Sequence, residues 1–215
     1  MGKHKYLIDS GHGGVKNGVY VSCPNYDPKD QKTWYKMWVH PDGTTIYEGG
    51  FNRNVKEKLF VLLDENCIDY FDISPGVEDI SLEERVMRAD NWYKSHKNSI
   101  FISIHGNAYE QNKGSGFEVY TSMGQTKSDK IAEIFVKELE KEFPKQVSRK
   151  DLSDGDSDKD ANYYVLRKTD CPAILTENFF MSHSKDVKIM LSEEGQCRIA
   201  NAHFNAIAYI EQNGY

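Results

Sequence analysis

Two histidines and two glutamates stand beside apolar segments of this chain, and their types suit metal-assisted hydrolysis. His12 lies in LIDSGHGG (residues 7–14), between glycines and just after the apolar run Tyr6-Leu7-Ile8. His105 closes SIFISIH (residues 99–105), and Glu177 follows the apolar run from Ala173 to Thr176. Glu48 precedes a helical pattern that starts near Phe51. In an open α/β sheet, groups that follow strand carboxyl ends gather along one edge, where ligands bind. If these strands run parallel, His12, His105 and Glu177 emerge together. Two imidazoles and one carboxylate are a ligand set for a catalytic zinc that keeps a position open for water. The metal lowers the pKa of that water to about 7, and a second carboxylate is needed to carry the proton. The two histidines and two glutamates supply all four parts, although spacing alone does not rank Glu48 against Glu177 as the ligand. Singly, each of these residues also reads as a solvated loop residue, since short motifs mislead. Three strand ends sharing one pattern put the joint reading on an equal footing with that one.

The elements that must position these groups are legible from hydrophobic periodicity. Val55, Leu59, Leu62 and Leu63 recur at helical spacing over residues 51–65, with Lys56, Glu57 and Lys58 on the other side. Ser81-Leu82-Glu83-Glu84 reads as a capping box opening a helix to about Lys94, with Leu82, Val86, Ala89 and Tyr93 inward. Residues 116–121 (GFEVYT) and 173–180 (AILTENFF) read as strands, and 127–143 and about 193–212 as helices. Strands alternating with helices imply an α/β fold with a largely parallel sheet. Two segments interrupt this order. One, about residues 20–47, is long and aromatic (Tyr26, Trp34, Tyr35, Trp38) and reads either as a wall beside a pocket or as a loop packed on the domain. The other, about residues 144–162, is a polar surface loop.

Bulk properties narrow the function classes. A chain of 215 residues with 39% hydrophobic and 28% charged residues reads as a single globular domain. The net charge of −6 and the lack of a basic stripe argue against a nucleic-acid partner. No apolar run approaches the ~18 residues of a membrane helix. The apolar stretch behind the basic start is too short for a secretory leader, so synthesis in the cytoplasm without a signal peptide is the expectation. Cys23, Cys67, Cys171 and Cys197 form no CxxC pair and are expected to be reduced, with Cys67 and Cys171 packed as small hydrophobes. Asp154, Asp156, Asp158 and Asp160 invite a calcium loop, but the twelfth position from Asp154 is Val165 rather than an acid, so a solvated acidic loop is expected. His4, His40, His96, His183 and His203 have no matching partners and read as surface or core residues.

The ordered set IDSGHGG, YEGGFNRNV, SLEERVMRAD, FISIHGNA and VLRKTDCPAILTENFF resembles the zinc-dependent N-acetylmuramoyl-L-alanine amidases of cell division, sporulation and phage lysis, from about Lys5 to Ile210. The resemblance implies a mixed, mostly parallel sheet of about six strands with helices on both faces. It implies one zinc ion held by His12, Glu48 and His105, with Glu177 as general base, and so resolves the two glutamates. Peptidoglycan is the implied partner and the cell wall the implied place of action, by a monomer acting as a lysin or autolysin. Asn107, two residues past His105, would brace the loop or bind substrate. Arg167, before the last strand, would meet a peptide carboxylate or form a surface ion pair. The long aromatic segment and Asn178, where a smaller residue or cysteine is usual, depart from the family pattern and bear on substrate preference. The competing readings are a metal peptidase cutting within the stem peptide and an inactive wall-binding relative.

Overall fold

The computed structural model describes residues 3–21 and 36–215. In chain order the elements are β1 (Lys5–Ser10), β2 (Val15–Lys16), β3 (Val19–Tyr20), β4 (Met37–Val39), β5 (Thr45–Tyr47), α1 (Glu48–Glu65), β6 (Tyr70–Asp72), α2 (Leu82–Ser95), β7 (Ser99–Asn107), β8 (Phe117–Thr121), α3 (Lys127–Glu142), β9 (Lys159–Asp160), α4 (Tyr164–Lys168), β10 (Ala173–Phe180), α5 (Asp186–Leu191) and α6 (Glu193–Asn213). Six strands form the main sheet in the order β6-β1-β7-β10-β8-β9. β6, β1, β7 and β10 run parallel, and β8 is antiparallel to β10. The expected mixed α/β sheet is therefore present.

Both faces of the sheet are covered, which explains why its central strands are apolar at successive positions. Alternate residues point to opposite sides. Tyr6, Ile8, Ile100, Ile102 and Ile104 join the larger core with Phe51, Val55 and Leu59 of α1, Phe135 of α3 and Ile207 of α6. Leu7, Phe101, Ala173 and Leu175 face the other way, onto Val86 and Ala89 of α2 and Val165 and Leu166 of α4. Each such side chain, fully buried, contributes roughly 1.5–3 kcal/mol.

Several details depart from the expectations. α1 begins at Glu48, so that residue lies in the first helical turn rather than before the helix. Ser81 caps α2 by accepting from Glu84 N at 3.1 Å, but the Glu84 carboxylate accepts from Arg88 Nε at 2.8 Å, so only half of the capping box forms. Leu82 is exposed, not inward. Cys67 is exposed as well; it turns the chain after α1 at a φ of 53°, while Cys171 is buried as expected. Cys23, Tyr26, Trp34 and Tyr35 lie outside the described residues; within them, Trp38 packs on the larger core. The polar stretch contains β9, which extends the sheet by one strand beside β8.

The acidic run is also not uniformly solvated. Asp154 and Asp160 are exposed, whereas Asp158 is buried and accepts from Thr121 Oγ1 at 2.7 Å. Burial, then the charges of Asp156 and Asp129, push the Asp158 carboxyl up to about 7. An unfolded aspartate ionises near pH 4. The folded chain therefore retains a proton between about pH 4 and 7 that the unfolded chain loses, so stability falls as pH rises from about 4 to about 7 and levels off above. Asp158→Asn keeps an acceptor for Thr121 and removes the charge. It should raise the melting temperature at pH 8 by several degrees, at about 2–4 °C per kcal/mol, with no gain at pH 4. Thermal melts at the two pH values measure this; an equal shift at both would contradict it.

Candidate metal centre and active site

His12, Glu48 and His105 meet at the carboxyl edge of β1 and β7. Among the described residues they are the one group of three or more histidine, cysteine, aspartate or glutamate side chains whose ligand atoms all lie within 4.8 Å of one another. Glu48 Oε1 stands 3.3 Å from His12 Nε2 and 3.0 Å from His105 Nδ1. Two donors about 2.0–2.1 Å from one tetrahedral ion lie roughly 3.3–3.4 Å apart, so these spacings suit a single zinc. The Lys36 ammonium, 2.7 Å from His12 Nε2, already places one cation against this donor set. Burial, with Lys36 and His105 acting the same way, lowers the His12 pKa despite the opposing pull of Glu48, which keeps its imidazole neutral as a ligand must be. Burial raises the Glu48 carboxyl, but the two histidines outweigh it and hold Glu48 well below the usual range.

Glycines make the convergence possible. A Cβ on Gly11 would stand 2.0 Å from the His105 ring, so only glycine lets that imidazole lie against the backbone beside His12. A Cβ on Gly49 would stand 1.9 Å from Gly13 O; its absence lets the first turn of α1 press on the loop and deliver Glu48. His12 itself sits at a φ of 63°, uncommon for a residue with a side chain. α1 holds it there. Asn52 Nδ2 donates to Gly11 O at 3.0 Å, and Arg53 Nη1 donates to His12 O at 2.6 Å.

His105 is oriented by a buried chain of groups reaching α2. Its Nε2 lies 3.1 Å from Ser103 Oγ, and that hydroxyl donates to Asp9 Oδ2 at 2.7 Å. Because the Ser103 proton goes to Asp9, the hydroxyl accepts from His105 Nε2–H, which leaves the Nδ1 lone pair facing Glu48. Asp9 is paired with Arg85 Nη1, and Arg85 Nη2 reaches Asp79 at 3.3 Å. Burial pushes the Asp9 carboxyl up, but Arg85 and Ser103 outweigh it and keep it ionised. Sequence reading missed this chain, although a serine inside the apolar run SIFISIH and an arginine beside inward Val86 were available signals. Outer contacts of this kind are worth about 10–100-fold in metal affinity. Ser103→Ala should weaken zinc binding by that range in a chelator competition titration; unchanged affinity would contradict the orienting role.

Glu177 lines the same cleft, of about 600 Å³, as the three candidate ligands. It pairs with His105 on one side and with Glu118 on the other in the sheet register. Its Oε2 is buried with no hydrogen-bond partner among the described residues. Burial, then the charges of Glu48 and Glu118, raise its pKa well above the ordinary carboxylate value. Such a group is suited to taking up and returning a proton. Asn178, the atypical neighbour, donates through Nδ2 to His105 O at 3.0 Å and locks β10 to β7 beside both residues.

The two remaining sequence candidates are placed differently. Asn107 lines the cleft, but its Nδ2 donates to Glu118 Oε2 at 2.6 Å and its Oδ1 accepts from Ala108 N at 2.7 Å. Arg167 is exposed and stacks on Tyr164, whose side of α4 lines the cleft; Arg167 itself is not among the lining residues.

The profile of the N-acetylmuramoyl-L-alanine amidase family matches residues 7–209. The chain is 32% identical over 206 residues to N-acetylmuramoyl-L-alanine amidase CwlM of Bacillus licheniformis, covering 95% of this chain and 67% of that protein. It is 29% identical over 205 residues to the sporulation-specific N-acetylmuramoyl-L-alanine amidase of Bacillus subtilis, covering 94% of this chain and 66% of that protein. It thus spans about two-thirds of the length of either relative. The crystal structure of an N-acetylmuramoyl-L-alanine amidase from Clostridium difficile 630 shares the fold, with a TM-score of 0.72 at 24% identity over the whole of both chains. With nearly its full length matched by that profile, the chain belongs to the N-acetylmuramoyl-L-alanine amidase family.

Proposed function

We propose that this chain is a zinc-dependent hydrolase that cuts the amide between N-acetylmuramic acid and L-alanine in peptidoglycan, acting at the cell wall as a lysin or autolysin. The observation that carries the reading is the meeting of His12, Glu48 and His105 in one cleft with Glu177, whose Oε2 is buried without a partner among the described residues. His12, Glu48 and His105 would hold the zinc. When bound, zinc polarises the scissile carbonyl and lowers the pKa of an attacking water. Glu177 takes the proton from that water and returns it to the alanine nitrogen as the C–N bond breaks. Asn107 braces Glu118 beside it, and Arg167 stays behind Tyr164 at the rim. One chain carries every group, so a monomer suffices.

The test is product analysis of digested peptidoglycan. The expected products are stem peptides with a new N-terminal alanine and glycan strands that keep the lactyl acid. New amino termini inside the stem would replace this reading by a stem-peptide peptidase. Wall binding without any new amino group would replace it by an inactive relative.

A further inference from the structure

Beyond Glu177 the row of polar side chains along the sheet edge continues for two more strands, through Glu118 to Lys159. Glu118 of β8 is the register partner of Glu177, and Lys159 of β9 is the register partner of Tyr120. The Glu118 side chain is 4% exposed. Its Oε1 accepts from Arg149 Nε at 2.7 Å and from Lys159 Nζ at 2.6 Å. Its Oε2 accepts from Asn107 at 2.6 Å and from the Tyr120 hydroxyl at 2.9 Å. One buried carboxylate thus gathers two cations, and among the described residues neither cation has a second ion pair. Asp151 also feels Lys159, but it is exposed and screened by water. Lys159 and Arg149 keep 24% and 38% of their side chains open to solvent, so each retains N–H groups for a ligand.

The cluster borders the cleft. Asn107, Tyr163 and Glu177 line it, and they meet the cluster through the Glu118 hydrogen bond, the Tyr120 ring and the Glu118 register pair respectively. The direction of the substrate follows from the proton transfer. Glu177 serves the leaving nitrogen, so the leaving peptide lies on the Glu177 side and the muramoyl group on the side of His12. Strands are about 4.8 Å apart, which puts Glu118 about 5 Å and β9 about 10 Å past Glu177. A carboxylate on the second residue of the leaving peptide lies about 5–7 Å from the scissile nitrogen. That span ends near the Glu118 carboxylate, against which Arg149 Nε and Lys159 Nζ reach from outside the cleft lining.

We propose that Lys159 and Arg149, gathered on Glu118, form a subsite for a carboxylate on the leaving peptide. The subsite selects stems whose second residue carries a free carboxylate over those carrying a carboxamide. A charge-assisted bond is lost with the carboxamide, and its NH2 is set against two cations.

This inference rests on the amidase reading, and the experiment separates the two. Two peptidoglycan preparations are compared that differ only in carboxylate or carboxamide at the second stem residue. The wild type should favour the carboxylate by about 10-fold or more in kcat/KM. Lys159→Met should bring the ratio toward one, and Lys159→Arg should keep most of it. A wild-type ratio near one overturns the subsite and leaves the amidase reading standing. So does a wild-type ratio retained by folded Lys159→Met; if that variant does not fold, Arg149→Gln is read in the same way. Release of no new alanine terminus from either preparation overturns the amidase reading and the subsite with it.

Discussion

Glu177→Gln should lower the rate of peptidoglycan hydrolysis by about 10²–10⁴-fold while zinc stays bound. In free-energy terms that is roughly 3–5 kcal/mol of barrier. The Glu177 Oε2 is buried without a partner among the described residues, in a strand locked on both sides by His105 and Glu118. Desolvation and the nearby Glu48 and Glu118 charges make its ionised form costly, and its raised pKa is the direct consequence. Glutamine has the same shape and cannot take a proton from water, and it relieves the repulsion from Glu48 and Glu118. Melting temperature should therefore hold or rise while turnover collapses. Rates on purified walls, zinc content by mass spectrometry and a thermal melt on one sample check all three. Turnover within about 10-fold of wild type would remove Glu177 from the proton-transfer role.

His105→Ala should take both zinc and activity. Its Nδ1 is one of three donors, and alanine leaves Glu48 facing a single imidazole. The Ser103 hydroxyl then loses its histidine partner but still donates to Asp9, which stays paired with Arg85. Two remaining ligands are too few for a catalytic zinc, which takes three from the protein. Zinc content should fall from stoichiometric to substoichiometric, and hydrolysis to background. Position 105 lies in a regular strand, so alanine adds no backbone strain there, unlike position 12 with its positive φ. Full zinc content in a folded His105→Ala chain would contradict the ligand assignment.

The contrast between what could and could not be read from the sequence has a physical pattern. β1, β7 and β10 are apolar at successive positions because helices cover both faces, so their existence and their polar ends were visible. His12 between glycines was visible too, and the Cβ positions at Gly11 and Gly49 explain why those glycines are there. β6, β9 and α4 are short, and neither alternation nor helical periodicity develops over three, two or five residues. The Ser103–Asp9–Arg85 chain and the Glu118 cluster depend on contacts between residues 31 to 94 positions apart. No local pattern carries such information; the strand register creates it. Leu82 misled for the opposite reason: its helical spacing was right, but it lines the cleft and is left exposed by the described residues.

The most direct test of the account is anomalous diffraction at the zinc edge from crystals of the purified chain. The account predicts one strong peak within bonding distance of His12 Nε2, a Glu48 carboxylate oxygen and His105 Nδ1, with the Lys36 ammonium displaced from His12. A peak away from these three atoms, or a metal-free site with Lys36 still against His12 in crystals grown with zinc, would contradict it.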